Sequence, residues 1–352
     1  MSDRLTLLLA ERPWLLADGA TGSNLFERGL VSGDAPELWN VEHPARIAEL
    51  HANFIAAGAD ILLTNSFGGT RHRLKLHGAE GRVAELNETA ARLARTEADR
   101  AGRLVLVGGS MGPTGEILEP LGSLTLEAAR ESFAEQAAAL ARGGADMLWI
   151  ETMSSVEESE AAVEGARRTG LPVITTLSFD TNGRTMMGIT PADLAGLHRK
   201  HHLAACGSNC GVGPSDLVAS IVNLATAADS SAILVAKANC GIPQFIDGAI
   251  RFNGTPELMA DYARLALDAG ARIIGGCCGT TPTHLRIMRE ALEAHVRGPI
   301  PELAAIESRL GAVSTGASAQ LRGKLDRQDG AARGATGRRT MNRRGLKTEK
   351  LE

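Results

Sequence analysis

The residues of this chain best suited to chemistry sit in two short stretches, "GSNCGVGP" (207–214) and "ARIIGGCCGTTPTH" (271–284). Each places cysteine at the end of a hydrophobic run: Cys210 in the first, Cys277 and Cys278 side by side in the second. Neighbours on a regular strand point to opposite faces, so two adjacent thiols serve one place only where the backbone kinks. Gly275, Gly276 and Gly279 flank the pair and supply that freedom. Three thiols brought to one place suggest a zinc site with one open position, because zinc takes thiolate readily and catalytic sites hold three protein ligands. Three thiolates outweigh the charge of the ion, which makes it a weak Lewis acid toward water. Such a centre is better suited to a fourth thiol, lowering its pKa and keeping it nucleophilic at neutral pH. Thiol alkylation is the natural reaction of this set; hydrolysis is not.

Two other readings of the same cysteines stay open at this level. A fourth cysteine, Cys206 or Cys240, would close a structural zinc site, and a vicinal disulfide at Cys277–Cys278 would make a metal-free redox protein. Cys206 lies four residues before Cys210 on one run and reads as an inward-facing but deeper core residue. His198, His201 and His202 form a tempting cluster, but their place on a helix candidate favours solvated side chains.

What must position the thiols is a run of alternating strands and helices. Nearly continuous apolar segments occur at 14–18, 60–65, 104–109, 146–151, 172–178, 204–210, 232–239 and 271–277, as strands buried on both faces require. Helix-forming stretches such as 126–142 and 256–269 lie between them. Eight such units predict a (β/α)8 TIM barrel over residues 1–307. An open doubly wound sheet is disfavoured because no G-x-G-x-x-G follows the first strand. In a barrel the strand ends carry the active face, and those ends read Asp18, Asn65, Glu151, Ser178, Cys210, Asn239 and Cys277–Cys278. Asn239 suits either a placeholder ligand or a loop-stabilising amide.

Composition narrows the class further. The 352 residues are 44% hydrophobic and 22% charged, with a formal charge of −4, which favours neither nucleic-acid binding nor a membrane surface. Glu11, Arg12 and Pro13 interrupt the N-terminal apolar run, against a signal peptide, and no run of 18 apolar residues occurs. Five cysteines in a chain of this size suit a reducing cytoplasm better than a disulfide framework. Residues 322–352 carry ten Lys/Arg and four Asp/Glu, a net of +6 within the total of −4, which leaves −10 on residues 1–321. Residues 308–352 are accordingly expected to be a flexible Gly/Ala/Arg-rich tail.

Taken together, "LLADGATGSNLFERG" (15–29), "GADILLTNSFGGT" (58–70), "GSMGPTGE" (109–116), "GGADMLWIET" (143–152), "GSNCGVGP" and "IIGGCCGTTPTHL" (273–285) resemble the zinc-dependent homocysteine S-methyltransferase family. That family includes betaine–homocysteine methyltransferases and the homocysteine-binding module of cobalamin-dependent methionine synthase. The resemblance runs in order from about residue 14 to 296, and G-x-N-C with G-G-C-C is its specific part. It implies one Zn2+ per chain on Cys210, Cys277 and Cys278, with homocysteine sulfur as the fourth ligand. It implies further that Glu151 meets the substrate amino group, and that the turn Asp18, Gly19, Ala20, Thr21 meets its carboxylate. The donor is either betaine or methylcobalamin carried by a separate corrinoid protein. Betaine asks for an aromatic cage, yet the positions where animal betaine enzymes carry tyrosine are Gly68 and Thr152 here, with Trp39 as a substitute wall. The balance tilts to the corrinoid donor. Self-association is common among such barrels, so a homo-oligomer is also conceivable, although no interface is legible.

Overall fold

The computed structural model describes residues 3–246 and 249–323. Its strands are β1 (Leu15–Leu16), β2 (Ile61–Leu63), β3 (Leu106–Met111), β4 (Met147–Met153), β5 (Val173–Leu177), β6 (Ala205–Cys210), β7 (Leu234–Ala238), β8 (Pro243–Ile246), β9 (Ala249–Phe252) and β10 (Ala271–Gly276). Eight of them form one parallel sheet in the order β1-β10-β7-β6-β5-β4-β3-β2. A parallel bridge between Ala17 and Ile61 brings its two edges together. Helices follow the strands around the outside, which makes the molecule a (β/α)8 barrel. The eight expected strands are those of the barrel, each within a few residues of its place. β8 and β9 are an addition, an antiparallel hairpin in the connection after β7.

Local chemistry explains why these segments become helices. Thr125, Ser155, Thr190 and Thr255 each accept a hydrogen bond from the N–H three residues on, starting Leu126–Arg142, Val156–Arg167, Pro191–His201 and Pro256–Asp268. Each such cap stabilises its helix by about 1 kcal/mol. Proline in the first turn adds to the signal at Pro191, Pro214, Pro256 and Pro282.

The apolar residues divide into two layers. Leu15, Ile61, Leu106, Met147, Trp149, Ile174, Ala205, Val235 and Ile273 fill the barrel, and Leu5, Leu8 and Leu9 of the helix Arg4–Glu11 join them. A larger layer fills the space between sheet and helices. With the interior packed at this level, the inward positions further along the strands are where polar groups can gather.

The chain continues in structure past residue 307. The helix Leu303–Leu310 buries Ile306 and Leu310, and Thr315–Leu321 buries Gly316 and Ala317. The Gly316 N–H donates to Asn182 Oδ1 at 2.6 Å, and Gly183, at φ +76°, lets the Ala317 backbone approach closely. The helices thus extend beyond the boundary expected at 308, because the turn after β5 receives the second of them. The rest of the expected tail, residues 324–352, lies outside the described residues. No helix among the described residues is long and apolar enough to cross a membrane.

Candidate metal centre and substrate pocket

Cys210, Cys277 and Cys278 come together at the C-terminal mouth of the barrel, their sulfurs all within 4.8 Å of one another. Two different backbone devices bring them there. On β6 the inward positions are Ala205, then by alternation 207 and 209, so Cys210 would face the helices on a regular strand. It escapes because its φ is +62°, a left-handed conformation at the strand's last residue. The other pair lies beyond β10, which ends at Gly276. A turn closes there, with the Thr280 N–H on the Cys277 carbonyl at 3.1 Å, so strand alternation no longer separates the thiols. Gly279 sits in that turn at φ +79°, and a Cβ on it would lie 2.5 Å from the Phe252 ring.

The side chains around the cysteines fix their loops. Asn209 accepts from the Thr152 N–H at 2.8 Å and the Thr176 hydroxyl at 2.7 Å, and donates to Thr152 Oγ1 at 2.6 Å. It thereby ties β6 to β4 beside the left-handed Thr152, and its Nδ2 lies 4.0 Å from Cys277 Sγ. Asn239 accepts from the Cys278 N–H at 3.1 Å and donates to the Gly211 carbonyl at 2.7 Å, joining the two cysteine loops. Both ends of its amide serve the loops.

The other two cysteines are elsewhere. Cys206 packs in the layer between sheet and helices, so its expected inward orientation is corrected: strand alternation turns it outward. Cys240 is buried and its thiol donates to the Gly254 carbonyl at 3.4 Å. Neither belongs to the cluster of potential ligands among the described residues, so no fourth cysteine closes it. The histidines also differ from expectation, since His201 is buried and its Nε2 lies 3.4 Å from Glu160 while only His202 is exposed.

Electrostatics shows what the trio is prepared for. Hydrogen bonds from both other thiols hold Cys210 at about 3, while Cys277 is pushed up to about 12 and Cys278 is pushed up as well. Within the free trio Cys210 is therefore the most acidic thiol. A thiophilic divalent cation would displace the thiol protons. Zn–S bonds of about 2.3 Å put tetrahedral sulfurs about 3.8 Å apart, and the three sulfurs here lie within 4.8 Å of one another. The donor set fits zinc.

Beside the sulfurs lies a cluster of buried charged residues. Glu151 ends the inward series Met147, Trp149, Glu151 on β4, and the Ser110 hydroxyl donates to its Oε1 at 2.5 Å. Burial raises its carboxyl to about 7, against the pull of Lys237. Asp18 follows β1; its Oδ2 accepts from the Leu63 N–H at 2.7 Å and its Oδ1 from Lys237 Nζ at 2.8 Å. After it, Gly19 passes so close to Thr280 and Phe54 that a Cβ would lie 2.6 Å from the Thr280 carbonyl oxygen. The Ala20 N–H is occupied by that carbonyl at 3.1 Å, and Thr21 leads into the short helix Gly22–Phe26. Lys237 is the residue that the sequence reading missed. Its signal was a lysine inside "AILVAKAN", an otherwise apolar strand.

The donor side of the mouth lacks the aromatic residues considered for it. Trp39 is buried, with its ring edge against His43 and the Arg46 guanidinium over it, so it lines no open wall. A Cβ at Gly68 would lie 3.0 Å from the Glu37 carboxylate, which accepts the Gly68 N–H at 2.6 Å. The Thr152 hydroxyl is engaged by Asn209.

A (β/α)8 barrel with a three-thiol cluster beside a buried carboxylate at its mouth defines a class of thiol-handling barrel enzymes. The family comparison is more specific: residues 15–292 match the homocysteine S-methyltransferase model, and the chain belongs to that family. Among curated relatives, the methionine synthase of Mycobacterium tuberculosis is 29% identical over 81% of this chain. The chain spans only 25% of that protein. Betaine–homocysteine S-methyltransferase 1 of Danio rerio is 30% identical over 82% of this chain and 75% of its own length. Among solved structures, the homocysteine methyltransferase MmuM of Escherichia coli in its oxidized form superposes with a TM-score of 0.70 at 26% identity, covering 82% of this chain and 99% of that one. A metallated form of MmuM superposes with a TM-score of 0.68.

Proposed function

We propose that the protein makes methionine by transferring a methyl group to homocysteine, with zinc held by Cys210, Cys277 and Cys278. The observation that carries this reading is the grouping, among the described residues, of three sulfurs and no fourth beside a buried carboxylate. Zinc, when bound, supplies a centre that lowers the pKa of an added thiol and keeps it nucleophilic. The chain's own residues do the rest. Glu151 offers its carboxylate to the substrate ammonium, and Ser110 fixes that carboxylate's direction. The turn Asp18–Thr21 is assigned to the substrate carboxylate. Asn239 and Asn209 hold the cysteine loops at fixed spacing. In the transfer, the homocysteine sulfur forms a bond to the methyl carbon while the donor's leaving group departs with the electron pair. The thioether product is a poor zinc ligand, which favours its release.

For the donor we favour methylcobalamin on a separate corrinoid protein over betaine. Gly68, Thr152 and the buried Trp39 supply no aromatic cage, and a quaternary ammonium is usually held in one. The match to one quarter of a methionine synthase is consistent with a module that meets its donor on another chain. A reducing cytoplasm is the compartment that keeps the three thiols available as ligands. The test is to incubate purified, zinc-loaded protein with homocysteine and either betaine or methylcobalamin, and to quantify methionine. Methionine from methylcobalamin supports the assignment; methionine from betaine at a useful rate overturns the donor choice, and none from either overturns the function.

A further inference from the structure

Lys237 is the one lysine or arginine that is buried among the described residues, at 2% exposure. It stands in the middle of β7, where its neighbours Val235, Ala236 and Ala238 are fully buried and apolar. Taking an ammonium out of water costs several kcal/mol unless charge and hydrogen bonds offset it. A methionine-like side chain would fill the same space without that cost, so the charge itself needs a reason.

The surroundings supply one. Lys237 Nζ donates to Asp18 Oδ1 at 2.8 Å and to the Asp18 carbonyl at 3.0 Å. Asp18 is held from two other strands as well, by the Leu63 N–H on β2 and the Gly276 N–H on β10. The turn that starts at Asp18 is therefore anchored even without the lysine. What Lys237 alone adds, among the described residues that act on Asp18, is positive charge. Glu151 and Cys277 lie within its field, and together with Asp18 they hold the ammonium above the ordinary lysine value although burial opposes it. Among the described residues, two buried carboxylates and the three sulfurs face one cation. A ligand bringing a further carboxylate would otherwise enter a pocket of uncompensated negative charge.

We propose that Lys237 is a positioning residue that makes the mouth selective for thiols bearing a carboxylate, by compensating the charge of Asp18 and Glu151. The inference rests on the homocysteine reading above and names the device behind its substrate choice. Lys237 acts through Asp18 and through its field, and it forms no bond to the reacting sulfur.

The test uses the full chain loaded with cobalt(II) as a visible probe, titrated with four thiols. Homocysteine carries both charges, 3-mercaptopropionate only the carboxylate, cysteamine only the ammonium, and 2-mercaptoethanol neither. Thiol binding is read from the sulfur-to-cobalt absorption, which requires no methyl donor. In Lys237→Met, homocysteine and 3-mercaptopropionate should bind at least tenfold more weakly, with 2-mercaptoethanol changed less than twofold. The double variant Asp18→Asn/Lys237→Met removes one charge of each sign, and should regain most of the lost carboxylate preference. It also guards against misfolding of the single variant. Equal weakening of all four thiols, no weakening at all, or a double variant no better than the single would overturn the proposal. So would a wild-type protein with no preference for homocysteine over 2-mercaptoethanol. If that preference is present but neither donor yields methionine, the proposed function fails and the role of Lys237 stands.

Discussion

The two ends of this barrel both bury an aspartate near the start of the sheet, and they treat it in opposite ways. At the N-terminal end Asp60, 1% exposed, is surrounded by Arg12 at 2.7 Å, Arg289 at 3.0 Å and Arg103 at 3.3 Å, and also accepts the Leu16 N–H. The arginines are partly solvated, and Arg103 further binds the carbonyls of Ile55 and Ala59. At the mouth Asp18 has one fully buried cation, which it shares with Glu151 and the thiols. One end has cations in excess and its hydrogen bonds close on themselves. The other has, among the described residues, one cation for two buried carboxylates and three sulfurs. Charge saturation fits an end that holds the fold; charge deficit fits the binding end proposed above.

Substitutions at the two ends should therefore separate turnover from stability. The largest effect is expected for Cys278→Ser, which should lower methionine formation about 1,000-fold, the several kcal/mol a metal centre supplies. Its zinc content by elemental analysis should fall far below that of the wild type, with thermal unfolding little changed. Asp60→Asn should do the reverse. Leaving three arginines around a neutral amide should cost about 3 kcal/mol in denaturant unfolding, while zinc content and homocysteine affinity of the folded fraction stay as they were. Lost activity per folded molecule in Asp60→Asn would erase the division between the ends.

Smaller effects sharpen the same contrast within the mouth. Glu151→Gln removes the proposed charged partner of the substrate ammonium and should raise the KM for homocysteine roughly 30-fold, about 2 kcal/mol. The pH dependence has a definite sign. Burial raises Glu151 from 4.5 to about 7, so the folded state holds this proton more tightly than the unfolded chain. Its contribution to stability is present in acid and is lost as pH climbs from 4.5 through about 7. Homocysteine binding runs the other way, because the ammonium needs the carboxylate: KM should rise as pH drops through about 7, and Glu151→Gln should lack that step. The smallest effect belongs to Cys206→Ala, expected to cost about 1 kcal/mol of stability as a buried large-to-small change, with zinc binding untouched.

Much of this was legible in the sequence, and the misses have physical causes. Continuous apolar runs place the barrel strands because both faces of a parallel sheet are buried. The three thiols, Asp18 and Glu151 follow from reading the ends of those runs. Lys237 escaped because a single lysine barely alters the apolar character of "AILVAKAN", and nothing local says its charge meets Asp18, 219 residues away in the chain. Cys206 was misplaced because parity was counted back from Cys210, whose left-handed backbone breaks the alternation. The β8–β9 hairpin hides in "IPQFIDGAIRFN", where Asp-Gly between two apolar runs was a usable hairpin signal. The helix Leu303–Leu310 carries apolar residues at 303, 306 and 310, a helical spacing obscured by the basic stretch that follows.

The central claim, that Cys210, Cys277 and Cys278 hold a metal which receives the substrate's sulfur, is tested most directly by zinc X-ray absorption with and without homocysteine. The account predicts three sulfur neighbours and one light atom in the free protein, becoming four sulfurs on adding homocysteine. A zinc environment that homocysteine leaves unchanged, or one retained intact in Cys278→Ser, would contradict it.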